Sequence, residues 1–173
     1  RSTLFPYTTL FRSSYLSILY RNPDGTFSRT KFHVWNEDLD SRPFPARQLM
    51  NNSLYVRPDT NEPMATIQTS RGCPAACVFC LTPVISGKCF RFRSPQNVMD
   101  ELTECYNVHG IRYFFFKADT FTINPQWVKE MCGLIINSPL HGKIAFTANS
   151  RVNSLSKETL QLMKDAGCFM VAF

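Results

Sequence analysis

The sequence predicts an α/β fold, either an open parallel sheet or part of a barrel, and three observations carry that reading. From Met64 onward, short β-branched or aromatic runs alternate with segments of helical periodicity. Each helical segment opens on a capping residue, and two of the three then have proline at the first helical position. The spacing of strand, helix and strand leaves room for the crossover that parallel strands need, and such crossovers are right-handed.

The elements follow in order. Thr3–Ser13 resembles the translation of a common DNA-sequencing adapter, so residues 1–13 are set aside as an assembly artefact. Setting aside Arg1 and Arg12 lowers the net charge from +6 to +4, which weakens any argument for nucleic acid from charge alone. Residues 14–63 read as an irregular linker. Within them Tyr15–Tyr20 can form a strand, and Pro23-Asp-Gly25 reads as a turn into Thr26–Trp35. The run Glu37–Arg47 carries two prolines two residues apart and reads as an extended connection crossing a surface.

Residues 64–173 form the regular part. Ala65–Thr69 is expected to be a strand that leads into a cysteine-bearing loop. Ser94-Pro95 opens a helix through Val98, Leu102, Cys105 and His109, which Gly110 can close. Ile111–Lys117, with three phenylalanines, reads as a buried parallel strand. Asn124-Pro125 opens a second helix through Trp127, Val128, Met131, Leu134 and Ile135, ending near Ser138-Pro139. Lys143–Asn149 is a third strand. Ser156 caps a third helix, with Leu155 and Leu160 placed as a hydrophobic staple and Gly167 at its end. Cys168–Phe173 is a fourth strand.

The chemistry concentrates in Arg71-Gly-Cys-Pro-Ala-Ala-Cys-Val-Phe-Cys80. This C-x3-C-x2-C spacing places Cys73, Cys77 and Cys80 on one short loop. Structural zinc takes four ligands, and a four-iron cluster has four iron corners. Three local thiols therefore suggest a cluster with one iron left open. Cys89 is near enough in sequence to act as a fourth ligand, which would make the site structural zinc. Seven cysteines in a chain without an evident secretion signal fit a reducing cytoplasm better than a disulfide framework. No apolar run reaches the roughly 18–20 residues of a membrane span. Cys105 and Cys132 read as small core residues. His33, His109 and His141 have no partner pattern. Active sites in parallel α/β folds gather at the C-terminal strand ends, so the cysteine loop, Asp119 and Arg151 are expected on one face.

At these residues the chain resembles the radical S-adenosylmethionine (SAM) superfamily, whose signature is a C-x3-C-x2-C motif after a first strand with an aromatic, here Phe79, before the last cysteine. The runs Asp38–Arg47, Thr69–Pro74, Arg91–Pro95, Asp119–Phe121 and Ser150–Val152 are similar to the subgroup with an N-terminal cobalamin-binding domain. The resemblance implies a partial (β/α) barrel, truncated here after about four strands and preceded by the end of a missing cobalamin domain. It implies that Cys73, Cys77 and Cys80 hold a [4Fe–4S] cluster whose free iron chelates SAM, and that Phe79, Asp119, Asn149 and Arg151 contact SAM. Lys117 and Ala118 stand where the subgroup carries acidic residues. Cleavage of SAM to a 5′-deoxyadenosyl radical, followed by cobalamin-dependent methyl transfer or radical cyclisation, is the implied activity. The implied partners are a small-molecule substrate and an external electron donor such as a flavodoxin or ferredoxin, with neither membrane nor nucleic acid. A methylthiotransferase acting on RNA fits the linker less well.

Arg71, Lys88, Arg91 and Arg93 form a basic stretch that could stabilise a reduced cluster or an anionic substrate. Two other classes compete: a thiol–disulfide oxidoreductase using Cys77 and Cys80, and a zinc-stabilised binding module. An uncovered strand edge is expected to make the chain poorly soluble alone.

Overall fold

Four parallel strands in sequential order form the sheet of the larger of two compact units, Glu37–Phe173. The computed structural model describes residues 18–31 and 38–173. The adapter-like segment, the outer parts of the first two expected strands and His33 lie outside them. In the smaller unit, β1 (Leu19–Arg21) pairs antiparallel with β2 (Phe27–Arg29) around the Pro23–Gly25 turn. Asp24 accepts hydrogen bonds from the amide and hydroxyl of Thr26 at 2.9 and 2.7 Å, which fixes that turn.

The sheet strands are β3 (Met64–Gln68), β6 (Tyr113–Lys117), β7 (Ala145–Asn149) and β8 (Cys168–Ala172). Between β3 and β6 come β4 (Ser70–Arg71), a single-turn α1 (Thr82–Ile85), β5 (Arg91–Phe92) and α2 (Pro95–His109). α3 (Pro125–Ile136) precedes β7, and α4 (Lys157–Asp165) precedes β8. The expected α/β alternation is therefore present, and the sheet is open. Ser94, Asn124 and Ser156 each accept a hydrogen bond from the backbone N–H three residues on, at 3.1–3.2 Å.

Because sequential strands are joined by crossovers of one hand, the three long helices cover one face. Their apolar stripes meet Ile67, Phe114, Phe116, Phe146 and Ala148 of the sheet. Phe116 stacks on Phe146 with ring centroids 4.3 Å apart, and Phe121 meets Trp127 edge-on at 5.6 Å. The other face places Thr66, Phe115, Thr147 and Met170 in register across the sheet. Gly167, at φ +102°, makes the tight entry to β8: a Cβ there would sit 2.7 Å from the Ile144 carbonyl oxygen.

Residues 38–63, expected as a connection, fold into the same unit as the sheet. Both Asp40 carboxylate oxygens accept from the Ser94 amide, at 2.9 and 3.2 Å. Arg47 is buried and reaches the Thr66 carbonyl at 3.1 Å. Arg57 lies over the rings of Tyr113 and Phe169, 4.5 and 4.4 Å from their centroids.

Candidate functional site

The cysteines occupy an excursion whose neck is a two-residue ladder. β4 and β5 pair antiparallel, Ser70 with Phe92 and Arg71 with Arg91. Two bonds continue the neck: the Thr69 amide donates to the Lys117 carbonyl at 2.9 Å, and the Arg93 amide donates to the Thr69 carbonyl at 3.0 Å. Just past the neck, Gly72 adopts φ +88°, and a Cβ there would lie 2.1 Å from the Cys89 carbonyl oxygen. Only glycine fits that crossing of two backbones. The Cys73 amide then donates to the Gly87 carbonyl at 3.1 Å, and the Cys80 amide to the Cys77 carbonyl at 3.0 Å.

Cys73 is buried, while Cys77 and Cys80 are half-buried. Arg151, just beyond β7, donates from Nη1 to Cys77 Sγ at 3.0 Å. The Thr82 amide donates to Cys80 Sγ at 3.4 Å. Asp119, just beyond β6, takes the Gly72 amide on Oδ2 at 3.0 Å and the Thr82 hydroxyl on Oδ1 at 3.1 Å. The loop, Asp119 and Arg151 thus share one end of the sheet, as strand-end placement predicts. A hydroxyl cluster of Thr122, Ser150 and Ser154 ties the segments after β6 and β7 together, with Thr122 and Ser154 oxygens 2.7 Å apart.

Hydrogen bonding from Thr82 holds the Cys80 thiol below its ordinary value, against the opposing effects of desolvation and the Asp119 charge. The hydrogen bond to the Cys77 sulfur raises Arg151, which keeps its charge beside the loop. Among the described residues no three His, Cys, Asp or Glu side chains are gathered around one point that could hold a metal ion. The three thiols share a loop and an electropositive neighbour, but their sulfurs do not converge. Their fit to an iron–sulfur cluster rests on donor type and placement: three thiols on one loop, with N–H donors aimed at two of the sulfurs.

Phe79 is 87% exposed, so it is no core anchor for the loop; its ring stands free beside Cys80. Asn149 ends β7, half-buried and in register with Ala172. The basic stretch is divided by the fold. Arg93 is buried and paired with Glu101, which also holds Arg47 at 2.6 Å. Arg93 therefore has no freedom to meet a substrate. Arg91 donates to the Ser86 carbonyl. Cys89 enters the site through its carbonyl at Gly72, and its thiol side is exposed. Cys105 and Cys132 are fully buried on α2 and α3, as their helical spacing implies.

Sequence reasoning missed Thr82, whose amide and hydroxyl bind two different site groups, and the triad of Arg47, Glu101 and Arg93. Nothing in the local pattern marks Thr82. Glu101 carried a readable signal: it sits on the apolar stripe of Val98, Leu102 and Cys105, where a lone carboxylate needs a buried partner.

The comparisons agree with this geometry. The family model of the radical SAM superfamily matches residues 67–173. The uncharacterized methyltransferase PH0819 of Pyrococcus horikoshii is 34% identical over 137 residues, which are 79% of this chain and 29% of that protein. The anaerobic magnesium-protoporphyrin IX monomethyl ester cyclase of Cereibacter sphaeroides is 30% identical, covering 75% of this chain and 21% of its own length. The chain thus spans between a fifth and a third of these relatives. Among solved structures, the cobalamin-dependent SAM radical enzyme OxsB, with aqua-cobalamin and SAM bound, superposes with TM-score 0.71 at 17% identity, over 90% of this chain and 23% of OxsB. That likeness shows a shared fold, and the four-stranded open sheet is the corresponding part of a (β/α) barrel. With the motif, the strand-end site and the family model in agreement, the chain belongs to the radical SAM superfamily.

Proposed function

We propose that this chain is the cluster-binding part of a radical SAM enzyme that performs methyl transfer or radical ring formation with cobalamin. The observation that carries the reading is the meeting of the cysteine loop with Asp119 and Arg151 at one end of the sheet. The methyltransferase and cyclase among its relatives and the cobalamin-dependent fold neighbour support the reaction class.

Cys73, Cys77 and Cys80 are the proposed thiolate ligands of a [4Fe–4S] cluster. When bound, that cluster supplies the electron that splits SAM into methionine and a 5′-deoxyadenosyl radical. The chain's own residues bind and orient. Arg151 offers a planar guanidinium to the SAM carboxylate, a pairing suited to bidentate contact. Phe79 presents an exposed ring for the adenine. Asn149 supplies amide hydrogen bonds from the end of β7, and Asp119 an acceptor from the end of β6. The segment 14–63 is proposed to connect a cobalamin-binding domain to the barrel that begins at residue 64. A small-molecule substrate, a flavodoxin- or ferredoxin-type electron donor and a cytoplasmic site complete the proposal. Among the described residues no helix is long and apolar enough to cross a membrane.

Anaerobic reconstitution with iron and sulfide tests it. The expected result is about four iron and four sulfide per chain with a visible chromophore, lost on Cys73→Ala, Cys77→Ala or Cys80→Ala. One tightly held zinc without a chromophore would replace this reading by the zinc module. Reversible oxidation of Cys77 with Cys80, with no iron taken up, would replace it by a thiol–disulfide oxidoreductase.

A further inference from the structure

The loop between Gly72 and Thr82 has little apolar burial to hold its shape. Val78, Phe79 and Leu81 are exposed, as are Val84 and Ile85 of the short α1 that follows. What fixes the loop is a small set of polar attachments, and two of them end on one carboxylate. Gly72 directly precedes Cys73, and Thr82 follows Cys80 by two residues. Both donate to Asp119, at 3.0 and 3.1 Å. Asp119 stands two residues beyond β6, a strand buried between β3 and β7. The same Thr82 that binds Asp119 through its hydroxyl directs its amide at Cys80 Sγ, 3.4 Å away. The carboxylate thereby holds the residue directly before Cys73 at one end of the motif and, at the other, the residue whose amide reaches the Cys80 sulfur.

We propose that Asp119 is a positioning residue that clamps the cysteine loop at both ends, through the Gly72 amide and the Thr82 hydroxyl, and so preorganises it for its cluster. The proposal rests on the reading of the loop as a cluster site and deepens it. Drawing three thiols onto one centre costs conformational entropy, and a loop with tethered ends has less to lose. The role precedes any contact with SAM, so it is visible without SAM. Gly72 serves the same end: its crossing under Cys89 leaves its amide free to reach Asp119, and no side chain can share that space.

Two SAM-free measurements on this chain test the clamp. One is backbone hydrogen exchange across residues 70–82 before metal is added. The other is the rate at which iron passes to a chelator after anaerobic reconstitution. Thr82→Val removes one donor, Asp119→Ala removes both acceptor oxygens, and Thr82→Ser keeps the hydroxyl. Loss of a hydrogen bond to a charged group corresponds to about a tenfold change. We expect exchange and iron release at least about tenfold faster in Thr82→Val and Asp119→Ala, with Thr82→Ser at the wild-type rate. Wild-type behaviour in both disruptive variants overturns the clamp and leaves the cluster assignment standing. Faster exchange with unchanged iron release overturns it too, since the loop is then tethered without consequence for the metal. A wild-type chain that takes up no iron overturns the cluster assignment, and the clamp falls with it.

Discussion

Gly72 shows how a single residue can decide whether the site forms. Its φ of +88° and the 2.1 Å approach of the Cys89 carbonyl leave no room for a methyl group. Gly72→Ala is expected to displace the loop backbone, abolish cluster uptake and leave the sheet intact. Iron content together with far-ultraviolet circular dichroism checks this. Burial pushes the Cys132 thiol up to about 12, and the Cys105 and Cys168 thiols to about 11. These thiols stay protonated in the folded chain while the unfolded chain loses their protons from about pH 9. The folded state therefore binds more protons there, and stability falls as pH climbs from about 9 toward 12. Urea midpoints at pH 8 and pH 10 should show the drop. Alkylation of the folded chain at pH 8 should reach Cys80, whose thiol is lowered, well before Cys105 or Cys132.

At the scale of elements, α2 carries the most consequential contacts outside the site. Ser94 caps it, and Asp40 accepts from the Ser94 amide. Ser94→Ala is expected to cost about 1 kcal/mol in urea unfolding. Glu101, 1% exposed, faces both Arg47 and Arg93 from the same helix. Glu101→Ala leaves two guanidinium groups buried without their anion, and about 3–5 kcal/mol of destabilisation is expected by the same measurement. A loss under 1 kcal/mol would show that the triad contributes little beyond what apolar packing could supply. The helices themselves were legible in the sequence because caps, prolines and apolar spacing are local. The strand limits were legible to within one or two residues, since Ala65–Thr69 is observed as Met64–Gln68 and Lys143–Asn149 as Ala145–Asn149.

Across the whole sheet the two edges differ. On β3, Arg47 donates to the Thr66 carbonyl and Arg93 to the Gln68 carbonyl at 3.0 Å, so alternate edge groups are already satisfied. On β8 no described strand pairs with the outer edge, and Phe169 and Met170 are 47% and 54% exposed. The chain is therefore expected to self-associate through β8 and not through β3. Sedimentation velocity of the chain and of Met170→Lys tests this, with association weakened by the added charge. Equal association in both would move the contact elsewhere.

The α/β alternation, the helix starts and the three-cysteine motif are legible in the residues because they are written in local spacing, and the motif carries the resemblance to the family. The sequence also placed Asp119 and Arg151 with the cysteines, since strand-end residues in a parallel sheet share a face. What those residues touch is set by the folded chain. Asp119 binds the loop backbone, Arg151 rests on a cysteine sulfur, and Arg93 leaves the basic stretch for a buried carboxylate. The segment 38–63, a connection by its prolines, became the guard of an open sheet edge. These outcomes depend on partners between 8 and 74 positions away in the chain, where periodicity and capping carry no information.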